Sequence, residues 1–173
     1  MEKTNKHIIL IGFMGTGKST VGARLAEVLS LPFIDTDQQL ELKEHLTIPE
    51  IFREKGEEYF RLLESEVLKE VTQRQQPLVI STGGGIILAR SNREILAGCN
   101  TVLLEASVEE LYTRVKNNAD RPLLSADKDL LVRIRELLAS REDLYKSVAK
   151  LIIDTNNKEI ADIIEEIVGG FSL

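Results

Sequence analysis

The sequence feature that most constrains this chain is the segment Gly-Phe-Met-Gly-Thr-Gly-Lys-Ser at residues 12–19, which fits the phosphate-loop pattern G-x-x-x-x-G-K-[ST]. It follows an apolar, β-branched run at residues 8–11, and residues 20–30 after it have the apolar spacing of a helix. A glycine loop between a strand and a helix binds phosphate through backbone N–H groups and the helix dipole. We therefore predict that the chain binds a nucleoside triphosphate. The alternative is a turn that only joins strand to helix.

The residues of this loop have distinct expected tasks. Its glycines allow backbone conformations that a Cβ atom would forbid. Lys18 is expected to reach the β- and γ-phosphates, and the hydroxyl of Ser19 is expected to bind Mg²⁺. The expected nucleotide ligands in this segment are Gly15, Thr16, Gly17, Lys18, Ser19 and Thr20.

Composition excludes several other classes of function. A net charge of −6 argues against a nucleic-acid partner, because such partners are bound largely through positive charge. The single cysteine, Cys99, excludes an internal disulfide and is typical of a reducing compartment. The amino end lacks the pattern of a signal peptide, and no apolar run has the length of a membrane span. We expect a cytoplasmic monomer that contacts neither membrane nor nucleic acid.

Two carboxylates, Asp35 and Asp37, follow a strand candidate at residues 31–34. Ligands of α/β folds bind at the carboxyl ends of strands. In an extended stretch residues i and i+2 share a face, so both side chains would face one site. One would approach Mg²⁺ while the other accepts a proton from a substrate hydroxyl. The alternative is a helix N-cap with an acidic first turn, a task that Asp37 would also suit.

Gly56 is predicted to end one helix. The next helix, predicted for residues 57–75, places Glu57, Arg61 and Glu64 in one line beside its apolar face. Such a line is commonly a surface ladder of salt bridges. The alternative is that Arg61 binds a substrate carboxylate through two hydrogen bonds and is oriented by the glutamates.

Three consecutive glycines, Gly83, Gly84 and Gly85, follow a strand candidate at residues 78–80. Ordering so many glycines is costly unless another group must approach the backbone closely. The simplest such group is the substrate or the γ-phosphate. A flexible turn is the other interpretation.

A polar segment at about residues 116–128 has the length and composition of a mobile lid. Arg121 within it would cover the phosphates and stabilise charge during transfer, unless the segment is a disordered loop with a solvated arginine. Arg114 lies near the end of the helix before this segment. Arg141 lies near the end of the helix after it, four residues before Tyr145.

The chain alternates strand candidates with helices. The strand candidates are residues 8–11, 31–34, 78–80, 101–104 and 148–153. This alternation predicts a parallel sheet covered by helices on both faces, in a single domain of residues 1–173.

Together these motifs closely resemble shikimate kinase. The resemblance rests on the phosphate loop, Asp35-Thr36-Asp37, Glu57 with Phe60-Arg61, Thr82-Gly83-Gly84-Gly85, Arg121-Pro122-Leu123-Leu124 and Arg141. They occur in the order and spacing of that family between about residues 8 and 158. The resemblance implies an α/β fold of the adenylate-kinase-like P-loop kinase type, with three layers and a five-stranded parallel sheet of order 2-3-1-4-5. It also implies a substrate-binding region at about residues 36–62.

The activity implied by the resemblance is transfer of the γ-phosphate of ATP to the 3-hydroxyl of shikimate, in aromatic amino acid biosynthesis. Mg²⁺ is the implied cofactor, with Ser19 and Asp35 serving it, the latter directly or through water. Lys18, Asp37 and Arg121 would be catalytic. Arg114 would stack over adenine, and Lys158 would contact the nucleotide. The implied shikimate ligands are Asp37, Arg61, Gly83, Gly84, Gly85 and Arg141.

One departure and two alternatives accompany this resemblance. Some family members present a proline to the adenine after the last strand, and residues 156–160 contain none. A gluconate kinase or another small-molecule P-loop kinase is one alternative, although it need not have an arginine on each side of the acceptor pocket. The other is a catalytically inactive nucleotide-binding subunit, which we would expect to have lost one of its catalytic residues. None is lost among Lys18, Ser19, Asp35, Asp37 and Arg121.

Overall fold

The computed structural model describes residues 6–116 and 130–173. Among these residues, five strands form one parallel sheet of order β2-β3-β1-β4-β5. This order confirms the fold class that the resemblance implied. The strands are β1 (Ile8–Ile11), β2 (Phe33–Asp35), β3 (Val79–Ser81), β4 (Asn100–Glu105) and β5 (Leu151–Asp154). The helices are α1 (Lys18–Leu29), α2 (Thr36–Glu44), α3 (Ile48–Thr72), α4 (Arg90–Ala97), α5 (Val108–Val115), α6 (Leu130–Val148) and α7 (Ile160–Phe171).

The central strand β1 is buried on both faces, which explains its continuous apolar sequence. Successive strand side chains point to opposite faces of a sheet. Ile9 and Ile11 accordingly pack into the core under α3, α4 and α6, and Ile8 and Leu10 pack into the core under α1 and α7. The sheet is therefore the middle of three layers.

The site is positioned by the strand order. Because β1 pairs with β3 on one side and with β4 on the other, the order of the strands reverses at β1. Parallel sheets bind ligands outside the carboxyl ends of their strands at such a point. The phosphate loop follows β1, Asp35 ends β2, and the three glycines follow β3 by one residue. These segments consequently meet at one edge of the sheet.

The structure corrects one predicted strand and confirms one predicted break. Residues 148–153 were expected to be a strand, but α6 continues to Val148 and β5 begins at Leu151. Arg141, Tyr145 and Val148 are all buried at helical spacing, so packing of that helical face outweighs the β propensity of valine. Gly56 interrupts α3 with φ 83° and ψ 170°, as expected from its role as a helix end.

In the described part of the chain, no helix has the length and apolar character needed to cross a membrane.

Candidate active site

The phosphate loop is held by hydrogen bonds from its own side chains. Lys18 Nζ donates to the carbonyl oxygens of Gly12 and Phe13, each at 2.9 Å. Thr16 Oγ1 also donates to the carbonyl oxygen of Phe13, at 2.9 Å. Gly15 and Gly17 have φ angles of 87° and 91°, a region that strains any residue with a Cβ atom. The loop is therefore a defined structure that carries an ammonium group.

The start of α1 is accessible from solvent. Gly17 is the N-cap, and Gly17, Ser19 and Thr20 are exposed, whereas Thr16 and Lys18 are buried. The first N–H groups of a helix have no partner within the helix, and its dipole is positive at this end. An exposed helix start beside a lysine is suited to binding a phosphate chain.

Asp35 connects the phosphate loop to the second helix. Its Oδ2 accepts a 2.5 Å hydrogen bond from Ser19 Oγ, and its Oδ1 accepts from the backbone N–H groups of Asp37 at 3.0 Å and Gln38 at 3.3 Å. The N-cap interpretation of this acidic pair is confirmed for Asp35, and a magnesium role for the same residue stays a prediction. Asp35 is the N-cap of α2 and is also the carboxylate nearest the expected magnesium ligand Ser19.

Asp37 faces a different part of the site. The chain turns into a helix at Thr36, so the extended geometry assumed for residues 35–37 is wrong. A Cβ atom on Gly83 would lie 2.7 Å from Asp37 Oδ1. The helical turn therefore separates the two carboxylates, with Asp35 directed at Ser19 and Asp37 at the glycine segment.

The three glycines are needed because the protein's own groups approach each of them. At Gly83 a Cβ atom would meet Asp37 Oδ1 and Glu64 Oε1, at 2.7 and 2.9 Å. At Gly85 it would overlap the guanidinium group of Arg61. At Gly84 it would come within 3.3 Å of the backbone nitrogen of Met14 in the phosphate loop. Close approach to the glycines is confirmed for groups of the chain itself, and contact with the substrate or the γ-phosphate stays a prediction.

Two arginines from different helices act on one buried carboxyl group, that of Glu64, and one of them contacts it. Arg61 Nη1 donates to Glu64 Oε2 at 2.9 Å, and Arg61 Nη2 donates to Glu57 Oε1 at 3.2 Å. Arg141, on α6, is 4% exposed and acts electrostatically on Glu64. Only Glu57 fits the interpretation of this line as a surface ladder of salt bridges, because its side chain is 53% exposed. The side chain of Glu64 is 2% exposed and lies in the interior.

Several polar atoms of this cluster are buried without a hydrogen-bond partner among the residues that the structure describes. They are Arg61 Nε, Glu64 Oε1 and Arg141 Nη1. A buried polar atom without a partner costs about 1–3 kcal/mol, more when it is charged. Such atoms therefore mark a place where a polar ligand would be favoured.

Arg114 joins the phosphate loop to the segment after β5. Its guanidinium donates to the carbonyl oxygen of Gly15 and to Thr155 Oγ1, both at 3.3 Å, and its Nε donates to Glu110 at 2.9 Å. Lys158 instead donates to Glu166 at 2.6 Å, so a nucleotide contact would have to compete with this ion pair. Arg114 thus lies beside the phosphate loop, and its contact with adenine, like that of Lys158 with the nucleotide, stays a prediction.

No group of three or more His, Cys, Asp or Glu side chains that could bind a metal occurs in residues 6–116 and 130–173. Ser19 and Asp35 are the pair that fits Mg²⁺, an ion that commonly keeps several waters and binds phosphate oxygens. The expected lid arginine, Arg121, lies outside the described residues, as does all of the expected lid except Lys116.

Comparison with known proteins agrees with this geometry. The family model described as shikimate kinase matches residues 14–170. The chain belongs to the shikimate kinase family. A shikimate kinase of Bordetella pertussis is 44% identical over 162 residues, which cover 93% of this chain and 76% of that protein.

Solved structures give the same result. The structure of shikimate kinase from Acinetobacter baumannii in complex with shikimate has a TM-score of 0.92 and 38% identity, covering 98% of this chain and 94% of that one. A gluconokinase from Sinorhizobium meliloti has a TM-score of 0.63 at 19% identity, covering 98% and 93%, which shows a shared fold only. Family membership identifies the chain as an enzyme that phosphorylates shikimate and uses ATP as co-substrate.

Burial shapes the electrostatics of this family member's site. It raises the pKa of the Glu64 carboxyl, and the guanidinium of Arg61, followed by that of Arg141, opposes the rise. Burial also raises the pKa of the Tyr145 hydroxyl to about 12, against the effect of Arg141. The Tyr145 hydroxyl is a donor at neutral pH even at its ordinary pKa of 10.0, and burial extends that range to higher pH.

Two residues of the site, Glu64 and Tyr145, were not among the predicted site residues. Glu64 was considered only as a group that orients Arg61, and Tyr145 only as a neighbour of Arg141. Glu64 lies three residues after Arg61, and Tyr145 lies four residues after Arg141, so their positions on the same helical faces could be read from the sequence. Their burial could not, because it depends on the packing of α3 and α6 against the glycine segment.

Proposed function

We propose that this chain transfers the γ-phosphate of ATP to the 3-hydroxyl of shikimate, giving shikimate 3-phosphate and ADP. The observation that carries this proposal is the ion pair of Arg61 with Glu64 beside the glycine segment, with buried Arg141 acting electrostatically on the same carboxyl group. Each of the two guanidinium groups also has a buried donor without a hydrogen-bond partner in the described structure. A guanidinium matches a carboxylate with two hydrogen bonds. In a chain of net charge −6, the two arginines supply the local positive charge that an anionic acceptor requires.

Asp37 is the proposed general base. Its carboxylate lies at the glycine segment, where Asp37 Oδ1 and Glu64 Oε1 both approach Gly83, two residues before the glycine that Arg61 approaches. It would accept the proton of the acceptor hydroxyl while the oxygen attacks the γ-phosphorus and ADP leaves. The rigid acceptor, bound at its carboxylate by Arg61 and Arg141, would present that hydroxyl in a fixed orientation.

The nucleotide would bind along the phosphate loop. Lys18 and the exposed start of α1 would stabilise the phosphates, and Arg114 would contact the adenine side. Mg²⁺, with Ser19 and Asp35 as its protein-side donors, would neutralise phosphate charge when bound. Roles for Arg121 on the phosphates and for Lys158 at the nucleotide are also proposed, as are a cytoplasmic location and a monomeric state.

A coupled assay of ADP release tests the proposal. The purified protein is supplied with ATP and Mg²⁺ and with shikimate, quinate, gluconate or a nucleoside monophosphate as acceptor. We expect kcat/KM for shikimate to exceed that for every other acceptor by at least about 100-fold. A nucleoside monophosphate has no carboxylate, gluconate is a flexible open chain, and the saturated ring of quinate presents its hydroxyls in a different geometry. Preference for gluconate, or ATP binding without turnover of any acceptor, would contradict the proposal.

A further inference from the structure

The three carbonyl groups of the glycine segment are each bound, but by donors of different kinds. Gly83 accepts from the backbone N–H of Ile86 at 3.2 Å, and Gly85 accepts from that of Leu88 at 3.0 Å. These are local turn hydrogen bonds. The central carbonyl, that of Gly84, accepts from the hydroxyl of Tyr145, which lies 61 residues further along the chain. The Gly84–Gly85 peptide is therefore fixed by a side chain from a distant part of the sequence.

Tyr145 is well placed to hold that peptide rigidly. It is 1% exposed and packs in the core formed with α3 and α4. It lies one helical turn after Arg141, so a single face of α6 contributes both the arginine and the tyrosine. Its hydroxyl is protonated at neutral pH and able to donate.

The peptide that Tyr145 holds lies between the acceptor groups and the phosphate loop. Gly83 lies against Asp37 and Glu64, and Gly85 lies against Arg61. A Cβ atom on Gly84 would be 3.3 Å from the backbone nitrogen of Met14 and 3.6 Å from the carbonyl oxygen of Gly12. Because a peptide group is planar, fixing the carbonyl of Gly84 also fixes the N–H of Gly85. A movement here would displace both sides of the site.

We propose that Tyr145 is a positioning residue for phosphoryl transfer: its hydroxyl fixes the Gly84–Gly85 peptide and thereby sets the acceptor groups relative to the phosphate loop. This inference rests on the proposed function. The Tyr145 hydroxyl donates to the carbonyl of Gly84 and also interacts with Arg141, one helical turn earlier on α6. Its proposed effect on the reaction runs through the glycine segment. A misplacement of about 1 Å is sufficient to cost two orders of magnitude in rate.

The test compares Tyr145→Phe with a matched control, Thr101→Val. Thr101 also has a buried hydroxyl, and it donates to the carbonyl oxygen of Leu96 at 2.6 Å, near the opposite, amino end of the sheet. Both substitutions remove a buried hydroxyl and keep the shape of the side chain. We expect Tyr145→Phe to lower kcat/KM for shikimate at saturating ATP at least about fivefold, with less than a twofold change in KM for ATP.

The control separates positioning from stability. Urea unfolding should show that both variants fold and lose comparable stability, whereas Thr101→Val should keep the parent's kcat/KM for shikimate. Amide hydrogen exchange at Ile86 and Leu88 should be faster in Tyr145→Phe only. A loss in kcat/KM of less than fivefold, or an equal loss in Thr101→Val, overturns the inference.

An NMR measurement on the parent protein tests the hydrogen bond from Tyr145 to Gly84 without any substitution. The hydroxyl proton of Tyr145 should give a slowly exchanging NMR signal with a contact to Gly84, and lack of such a signal overturns the inference. Failure of the proposed function looks different, because the parent itself would then fail to turn over shikimate.

Discussion

Arg61 Nη1 and Glu64 Oε2 are 2.9 Å apart, one helical turn from each other on α3, and the carboxylate is almost completely buried. A buried charge pair of this kind is costly unless its remaining atoms are bound. Glu64 Oε1 and Arg61 Nε have no hydrogen-bond partner in the described structure. These atoms make the pair a candidate for binding a polar ligand.

Arg61→Lys should raise KM for shikimate at least tenfold, because an ammonium group cannot make the two parallel hydrogen bonds of a guanidinium. A tenfold change corresponds to about 1.4 kcal/mol. Steady-state kinetics at saturating ATP measures it. Arg90→Lys is the control, since Arg90 makes an exposed i,i+4 ion pair with Glu94 and should tolerate the change.

The same variant tests which group of the acceptor Arg61 binds. Shikimate methyl ester should be a poor acceptor for the parent enzyme, and the penalty for esterification should be much smaller in Arg61→Lys. If parent and variant discriminate equally between acid and ester, Arg61 does not bind the carboxylate.

Asp37→Asn should lower kcat by about 10²–10⁴-fold and leave nucleotide affinity unchanged, because an amide cannot accept the proton of the acceptor hydroxyl. Kinetics together with ADP binding by calorimetry would show this pattern. Asp143→Asn, an exposed change on α6, should have parental kinetics. An effect on ATP affinity alone would assign Asp37 to the nucleotide site.

Lys18→Met should abolish turnover while the protein remains folded, since Lys18 bonds to the carbonyls of its own loop and belongs to none of the apolar clusters described. Activity assays and circular dichroism measure the two properties. Lys69→Met, an exposed substitution on α3, should leave both at parental values. Activity within tenfold of the parent in Lys18→Met would refute the assignment.

Glu64→Gln should change how stability depends on pH. Burial raises the folded-state pKa of Glu64 above its ordinary value of 4.5, so the folded protein binds that proton more tightly than the unfolded chain does. The associated stability is fully present below pH 4.5 and is lost as the pH rises through the raised pKa. The unfolding free energy of the parent, minus that of Glu64→Gln, should therefore fall with rising pH. Urea titrations at several pH values measure it, and a difference that rises with pH would contradict the assignment.

Much of this protein was determined by local sequence. The phosphate loop, the alternation of strands and helices, and the break at Gly56 depend on residue types at short spacings, so they were predictable without coordinates. The resemblance to shikimate kinase came from the same local motifs, and it supplied a strand order that periodicity alone would not reveal.

Only the tertiary structure decided how these motifs meet. The start of α2 at Thr36 separates Asp35 from Asp37, and the packing of α6 carries the helix through Val148. Burial of Glu64 and the hydrogen bond from Tyr145 to Gly84 join residues far apart in the chain. The physical reason is that propensity and spacing act over a few residues, whereas burial and the direction of a side chain depend on which helices cover the sheet, and that depends on the whole chain.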